Sequence, residues 1–298
     1  MARRTISLPF AVDIGASLSP LRVGRHDPTI RLSARAMVRA SRTPDGPATV
    51  RAEQVGDAIE IDAWGEGAEW ALEHAPGLLG CLDDRAGFEP LDGLVRRLQR
   101  DYDGLRLPRT DRVIESLIPA VVGQKVTSFE ATRSYHQLVE RWGAPAPGPG
   151  GLLLQPLPDQ IAELGYYELH VIGMERRRAD TLKRVCAHAA RLEDAGTTTS
   201  EALRTRLHAI PGVGQWTSAE VARVVLGDPD AVSVGDFHLK NIVSWALAGE
   251  PRGSDARMLE LLDPYAGHRG RVCRLLEAAH VHAPARGPRR PIEPLASR

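Results

Sequence analysis

The chain has 298 residues, 43% of them apolar and 26% charged, and its 38 lysines and arginines balance 38 aspartates and glutamates. This length favours two domains or one large one, and the composition is that of a soluble globular protein. A formal net charge of zero gives no sign of a polyanionic partner, so any nucleic-acid surface must be a local patch.

Cys81, Cys186 and Cys273 lie far apart and form no Cys-x-x-Cys pair. They exclude a four-cysteine iron–sulfur cluster or zinc site within one chain, and unpaired thiols suit a reducing compartment. The basic start of the chain is interrupted at Pro9 and Asp13, which does not fit a secretory signal, and no apolar run is long enough to span a bilayer. We therefore expect a cytoplasmic protein that makes no membrane contact.

Residues 1–90 carry strand patterns with a helix or two and predict an N-terminal α/β domain. Alternation of apolar and polar residues predicts strands at 30–40, 48–55 and 58–64. The last two flank Gly56-Asp57 and predict a hairpin. Residues 66–74 have a helical composition, and Pro76-Gly77 is expected to end that helix.

Residues 91–283 are predicted to be mostly helical. Helical patterns occur at 91–100, 111–118, 124–142, 158–172, 174–193, 236–248, 255–262 and 267–280. Ser200 can cap a helix that runs to about residue 210. Residues 144–151 are too rich in proline and glycine for a regular element and predict a surface loop. The basic, proline-rich residues 284–298 are expected to be disordered.

The most informative stretch runs from Leu207 to Lys240, LHAIPGVGQWTSAEVARVVLGDPDAVSVGDFHLK. It predicts a helix that ends near Ile210, a tight turn in which Gly212 and Gly214 permit positive φ, and a helix that restarts at Gln215. The first N–H groups of the restarted helix lack intrahelical acceptors and can bind an anion. By itself, such a turn is equally typical of an ordinary pair of helices.

Asp236 follows this turn by about twenty residues and precedes another apolar helix. An aspartate is expected there as an N-cap, whether or not it is functional. A helix N-terminus also favours an ionised carboxylate, which can stabilise the oxocarbenium ion that forms when an N-glycosidic bond breaks, or deprotonate the attacking water. Both roles are compatible with one residue.

The combination Leu207-x-x-Ile210-Pro-Gly-Val-Gly-x-Trp216-Thr217, with Asp236 ahead of a helix, resembles the helix-hairpin-helix-GPD superfamily of DNA glycosylases. Within that superfamily it resembles the bacterial 3-methyladenine DNA glycosylase II (AlkA-type) branch. The resemblance covers most of the chain and is strongest over residues 114–240. It implies an α+β fold, in which a TBP-like α/β domain precedes a mostly helical glycosylase core of two subdomains, with the hairpin at residues 207–216.

The resemblance also implies roles for single residues, and Asp236 matches the catalytic aspartate. Trp216 stands where strand-nicking relatives carry the lysine that forms a Schiff base, so the resemblance implies a monofunctional enzyme. The alkylation-repair branch has a tryptophan there, and an indole can stack on a flipped cationic base. A core tryptophan that packs the hairpin is the alternative. Tyr166 and Phe237 are the other candidates for the base pocket.

The remaining implied residues would bind DNA. Backbone amides of the hairpin would contact a phosphate without reading bases, with the candidates Gly212, Gly214, Gln215 and Thr217. The carbonyls of His208, Ile210 and Val213 would hold a monovalent cation, Na⁺ or K⁺. Gln124 would face the orphaned base and Lys125 would enter the gap, although relatives often have an apolar residue there and an exposed lysine is the alternative. Arg269 and Arg271 would contact DNA or orient Asp236.

The leading hypothesis is a monofunctional, monomeric glycosylase of base excision repair. It would flip alkylated purines of the 3-methyladenine type out of double-stranded DNA and remove them by hydrolysis, with no cofactor required for catalysis and no iron–sulfur cluster. Removal of another lesion, such as a deaminated purine, is an alternative. A non-catalytic damage-binding protein is another, which Lys125 favours slightly and the intact pair of Asp236 and Trp216 disfavours.

Overall fold

A computed structural model describes residues 1–8, 10–194 and 199–284. Its N-terminal part is a five-stranded antiparallel sheet in the order β1-β5-β4-β3-β2, with α1 (Ile14–Leu18) and α2 (Ala68–Leu78) packed against it. The strands are β1 Ala2–Ser7, β2 Ile30–Leu32, β3 Ala36–Thr43, β4 Gly46–Val55 and β5 Ala58–Trp64. The predicted hairpin is confirmed as β4 and β5. The predicted disorder of residues 284–298 falls almost wholly outside the described residues.

The rest of the described chain is mostly helical, which confirms the α+β layout. The helices are α3 Gly93–Asp101, α4 Val113–Val122, α5 Ser128–Trp142, α6 Pro158–Glu163, α7 Tyr166–Val171, α8 Arg176–Ala187, α9 Ala189–Glu193, α10 Ser200–His208, α11 Gln215–Val225, α12 Leu239–Ala248, α13 Asp255–Leu262 and α14 Arg269–Ala278. No helix in these described ranges is long and apolar enough to cross a membrane.

The helices enclose two separate apolar clusters. One is built on α4 to α11 and includes Leu117, Leu182 and Val221. The other joins α3 to α12–α14, so that the first helix after the sheet packs with the last part of the described chain. The proposed domain boundaries near residues 90 and 283 stay predictions.

The single strand predicted over residues 30–40 is wrong, because the chain reverses within it. Strands β2 and β3 pair antiparallel, with Leu32 opposite Met37. The N–H of Ser33 donates to the carbonyl of Ala36 at 2.8 Å, and the Ser33 hydroxyl accepts from the N–H of Ala36 at 3.1 Å. Alternation alone cannot distinguish one long strand from two short ones joined by a turn.

Helix α2 continues through Pro76, where the sequence predicted its end. A proline deprives the carbonyl four residues earlier of its partner. In α2 that carbonyl belongs to Leu72, and it accepts from Arg4 Nη1 at 3.0 Å. Helix α4 contains Pro119 in the same way, and the carbonyl of Glu115 accepts from Gln155 Nε2 at 2.9 Å. Side chains distant in sequence thus replace the missing backbone donors.

Three helix boundaries also differ from the prediction. The helix expected from residue 124 begins at Ser128, because Thr127 and Glu130 form a capping box there. The helix predicted over 174–193 breaks at His188 into α8 and α9. Thr199, not Ser200, caps α10, and the Ser200 hydroxyl donates to Asp228 instead. The predicted loop at 144–151 begins with a two-residue strand that pairs with residues 153–154.

Candidate functional site

A cleft of about 1970 Å³ opens between the α4–α5 turn, the hairpin that joins α10 to α11, and the segment ahead of α12. The structure brings most of the predicted site residues to this cleft. Its lining includes Gln124, Lys125, Gly212, Val213, Gly214, Gln215, Trp216, Thr217, Asp236 and Phe237. Phe237 is 77% exposed, so its ring is available at the cleft.

Asp236 and Trp216 form a hydrogen-bonded pair in the cleft. The Trp216 indole Nε1–H donates to Asp236 Oδ2 at 3.2 Å. The other carboxylate oxygen accepts from the N–H groups of His238 and Leu239 at 2.7 and 2.8 Å. His238 is the N-cap of α12, so Asp236 lies two residues ahead of the position predicted for it and still binds the start of the helix. The structural and functional interpretations are therefore compatible: the start of α12 fixes the carboxylate, and the indole lies beside it.

Gly212 and Gly214 have different roles in the hairpin. Gly212 has φ +99°, and a Cβ at this position would lie 2.2 Å from Thr181 Oγ1. Gly214 is extended (φ −110°), so the expectation of positive φ is wrong for this glycine. It is the N-cap of α11, and, its two chain neighbours aside, no atom of the described residues lies within 4 Å of a Cβ built on it. Only the first glycine is therefore required by the backbone.

The N-terminus of α11 faces the cleft with unpaired donors. The N–H of Ser218 makes the first hydrogen bond of this helix, to the carbonyl of Gly214 at 3.0 Å. The N–H groups at 214–217 have no acceptor among the described residues. Their direction and the positive end of the helix dipole suit an anion such as a phosphate.

Gln124 ties the α4–α5 turn to the hairpin. Its Nε2 donates to the carbonyl of Gly212 at 3.0 Å and to Thr217 Oγ1 at 2.8 Å. In this structure the Gln124 amide is therefore held by the protein rather than projected towards an orphaned base. Thr217 is only 2% exposed, and its hydroxyl accepts from Gln124, so the structure does not present this side chain at the cleft surface.

Lys125 is exposed at the tip of the α4–α5 turn and has φ +54°, a left-handed conformation that is rare for a lysine. Arg178 holds the base of this turn. It is 3% exposed and donates to the carbonyls of Val122 and Gly173 at 2.7 and 2.9 Å. These hydrogen bonds hold the backbone of the α4–α5 turn in place, and the Lys125 side chain projects from it into solvent.

Tyr166, Arg269 and Arg271 are not among the residues that line the cleft, so the structure does not bring them together with Asp236 and Trp216. The Tyr166 ring packs beneath the guanidinium of Arg176, 4.9 Å from its centroid. Arg269 is paired with Asp230. Arg271 is buried among partners of its own, so it cannot touch DNA in this structure. None of these side chains contacts Asp236.

Glu220 is a cleft residue that sequence reasoning missed. It lies one helical turn after Trp216, so the i, i+4 spacing on α11 was the available signal. Behind it, Arg223 bridges Glu220 and Glu277, with Nη–Oε distances of 3.0 and 2.8 Å. Burial opposes ionisation of Glu277, but Arg223 and Arg274 outweigh it and lower the pKa of Glu277 to about 2. Glu277 and Arg223 thus form a charged pair behind the cleft residue Glu220.

A hairpin with free amides beside a fixed aspartate in a cleft is the arrangement of a helix-hairpin-helix repair protein. Residues 118–265, about half of the chain, match the model of the HhH-GPD superfamily of base excision DNA repair proteins. The chain belongs to this superfamily, as its sequence indicated.

Two curated relatives are of the AlkA type. The "Probable bifunctional transcriptional activator/DNA repair enzyme AlkA" of Mycobacterium tuberculosis H37Rv is 34% identical over 139 residues, which are 46% of this chain and 28% of that protein. The "DNA-3-methyladenine glycosylase 2" of Escherichia coli K12 is 27% identical over 155 residues, 50% of this chain and 53% of that protein. The matches thus span only part of each relative.

A solved structure shares the fold over nearly the whole chain. The 3-methyladenine DNA glycosylase of Archaeoglobus fulgidus superposes with a TM-score of 0.78, covering 94% of this chain and 99% of that one. The two sequences are 20% identical, so this likeness is evidence for the fold alone.

Proposed function

We propose that this protein is a monofunctional DNA glycosylase that excises alkylated purines of the 3-methyladenine type from double-stranded DNA, as a monomer. The observation that carries the proposal is the pair formed by Asp236 and Trp216 in the cleft, 3.2 Å apart, beside the free amides of α11. The Asp236 carboxylate can stabilise positive charge on a sugar, and the Trp216 indole can stack on a base.

In the proposed mechanism, the damaged nucleotide leaves the duplex and its base enters the cleft beside Trp216. The C1′–N bond breaks and its electron pair departs with the base, so a cationic alkylated purine leaves as a neutral molecule. The Asp236 carboxylate stabilises the oxocarbenium ion at C1′. Water adds to C1′ and loses a proton, for which Asp236 is the nearby acceptor.

The hairpin would hold the DNA backbone without reading sequence. Its free N–H groups at 214–217 suit a phosphate, and such contacts position a duplex. The carbonyls of His208 and Val213 accept no hydrogen bond from the described residues, whereas that of Ile210 accepts from the N–H of Val213 at 3.0 Å. Two free carbonyls on one turn fit the proposed binding of Na⁺ or K⁺.

A panel of duplex oligonucleotides tests the function. Each carries one lesion (7-methylguanine, 3-methyladenine, hypoxanthine or none), and free bases are separated by chromatography after incubation with excess protein. Release of the methylated purines alone supports the proposal. Release of hypoxanthine alone would assign the protein to deaminated purines, and tight binding without any release would make it a damage-binding protein.

Gly212→Ala is expected to lower the free energy of unfolding by about 1–3 kcal/mol, because the new Cβ would meet Thr181 and require an unfavourable φ. Affinity for DNA should fall with it, since the hairpin amides would be displaced. Gly214→Ala is the matched control, with an extended backbone and open space around the new methyl group. Urea denaturation of both variants tests this: equal stabilities would contradict the assigned role of Gly212.

Lys125→Ala is expected to weaken DNA binding and to reduce the slope of log affinity against log salt by about one unit, because one phosphate contact is lost. Lys125→Arg keeps the charge and should keep the slope. Fluorescence anisotropy titrations at several salt concentrations measure both variants. A slope unchanged in Lys125→Ala would show that this lysine does not contact the backbone of DNA.

A further inference from the structure

One carboxylate oxygen of Glu220 is free at the cleft. Its Oε1 accepts from Arg223 Nη1 at 3.0 Å and from the hydroxyl of Ser233. Its Oε2 has no partner among the described residues, and the side chain is 28% exposed. Since Glu220 lines the same cleft as Trp216 and Asp236, the free oxygen is an acceptor available to whatever occupies that cleft.

The surroundings of Glu220 fix this geometry. Arg223 is shared with Glu277 at 2.8 Å, and Glu277 also binds Arg274 at 2.7 Å. Burial disfavours the charged form of Arg223, but Glu220 and Glu277 raise its pKa above the usual value, so the guanidinium stays charged. The hydrogen bonds from Arg223 and Ser233 therefore restrain Oε1 of Glu220, whereas Oε2 accepts no hydrogen bond from the described residues.

Glu220 and Asp236 belong to one wall of the cleft. The hydroxyl of Ser233 donates to Glu220, and its carbonyl accepts from the N–H of Asp236 at 3.1 Å. Trp216 precedes Glu220 by one turn on α11 and donates to Asp236. A base stacked on the indole while its sugar faces Asp236 would bring its outer edge towards Glu220.

We propose that Glu220 determines which base is accepted, by receiving at Oε2 a hydrogen bond from an N–H donor of a positively charged purine. This inference rests on the proposed glycosylase function and narrows its substrate class to cationic, N-alkylated purines. A hydrogen bond between charged groups is stronger than a neutral one, and it is strengthened further where water is displaced. A neutral base of the same shape would leave the carboxylate with a weaker partner.

The test compares two DNA duplexes that differ by one charge. One carries 7-methylguanine, and the other carries its neutral, uncleavable isostere 7-methyl-7-deazaguanine. Both are titrated by fluorescence anisotropy against Asp236→Asn, which slows release and removes the other carboxylate. We expect this variant to bind the cationic lesion about tenfold more tightly, and the double variant Asp236→Asn/Glu220→Gln to lose that preference.

Ser233→Ala in the Asp236→Asn background is the control. It removes the hydroxyl that binds Glu220 but keeps the carboxylate and its ion pair with Arg223 at 3.0 Å, so the preference should survive. A preference that persists after Glu220→Gln, or is lost equally in Ser233→Ala, would overturn the inference, as would equal affinities in Asp236→Asn itself. The release of free bases by the wild-type protein is a separate measurement. If no base is released, the proposed glycosylase function is wrong, whereas the binding titrations test only the role of Glu220.

Discussion

Asp236→Asn is expected to slow release of 7-methylguanine about 100- to 1000-fold or more while DNA binding survives. Asparagine keeps an acceptor for the N–H groups of His238 and Leu239, so the start of α12 should remain intact. It has no negative charge to stabilise the oxocarbenium ion. Single-turnover release rates measure the loss, and anisotropy titrations measure binding.

Asp255→Asn is the matched control for that experiment. Asp255 supports the same segment by accepting from the N–H of Gly235 at 3.1 Å and by pairing with Lys240 at 3.6 Å, but it is not among the residues that line the cleft. It should retain most of the wild-type rate. Equal rates for Asp236→Asn and the wild type would remove Asp236 from the mechanism.

Arg271→Ala is expected to lower the free energy of unfolding by about 3–5 kcal/mol, because it leaves a buried carboxylate without its partner. Arg271 and Asp83 are each 2% exposed at the side chain and are joined by two bonds of 2.7 and 2.8 Å. Arg271 also donates to the carbonyl of Asp84 at 2.8 Å. The pair fastens α14 to the segment ahead of α3.

Arg269→Ala provides the comparison, since the Arg269 side chain is 32% exposed and its pair with Asp230 is partly solvated. Its loss should cost about 1 kcal/mol. Urea denaturation followed by circular dichroism ranks the two variants. If Arg271→Ala were no less stable than Arg269→Ala, the buried pair would not stabilise the fold as described.

The parts of the site that depend on neighbours in sequence could be predicted. Gly212 needs positive φ within a four-residue turn, and Asp236 caps N–H groups two and three residues later. The turn and the start of α12 therefore follow from local chemistry. The cleft does not, because its other wall comes from the α4–α5 turn.

The predictions that were wrong concern contacts between residues distant in sequence. Arg271 was predicted at a DNA surface, but its partner Asp83 is 188 residues away. Helix α2 passes Pro76, and Arg4 donates to the carbonyl that the proline leaves unpaired. Spacing on α11 could place Glu220 on the face that carries Trp216, but not the ion pair with Arg223 that holds its carboxylate. Neither composition nor periodicity carries such information.

The most direct test of the central claim follows one end-labelled strand. A duplex with a single 7-methylguanine is incubated with the wild-type protein, and the labelled strand is sized with and without a purified AP endonuclease, which cuts abasic sites but not the methylated nucleotide. Hydrolytic removal of the base predicts a strand that stays intact until the endonuclease cuts it at the lesion. A strand that the endonuclease leaves as intact as untreated DNA would contradict base removal, and one already cut before the endonuclease is added would contradict the monofunctional mechanism that Trp216 implies.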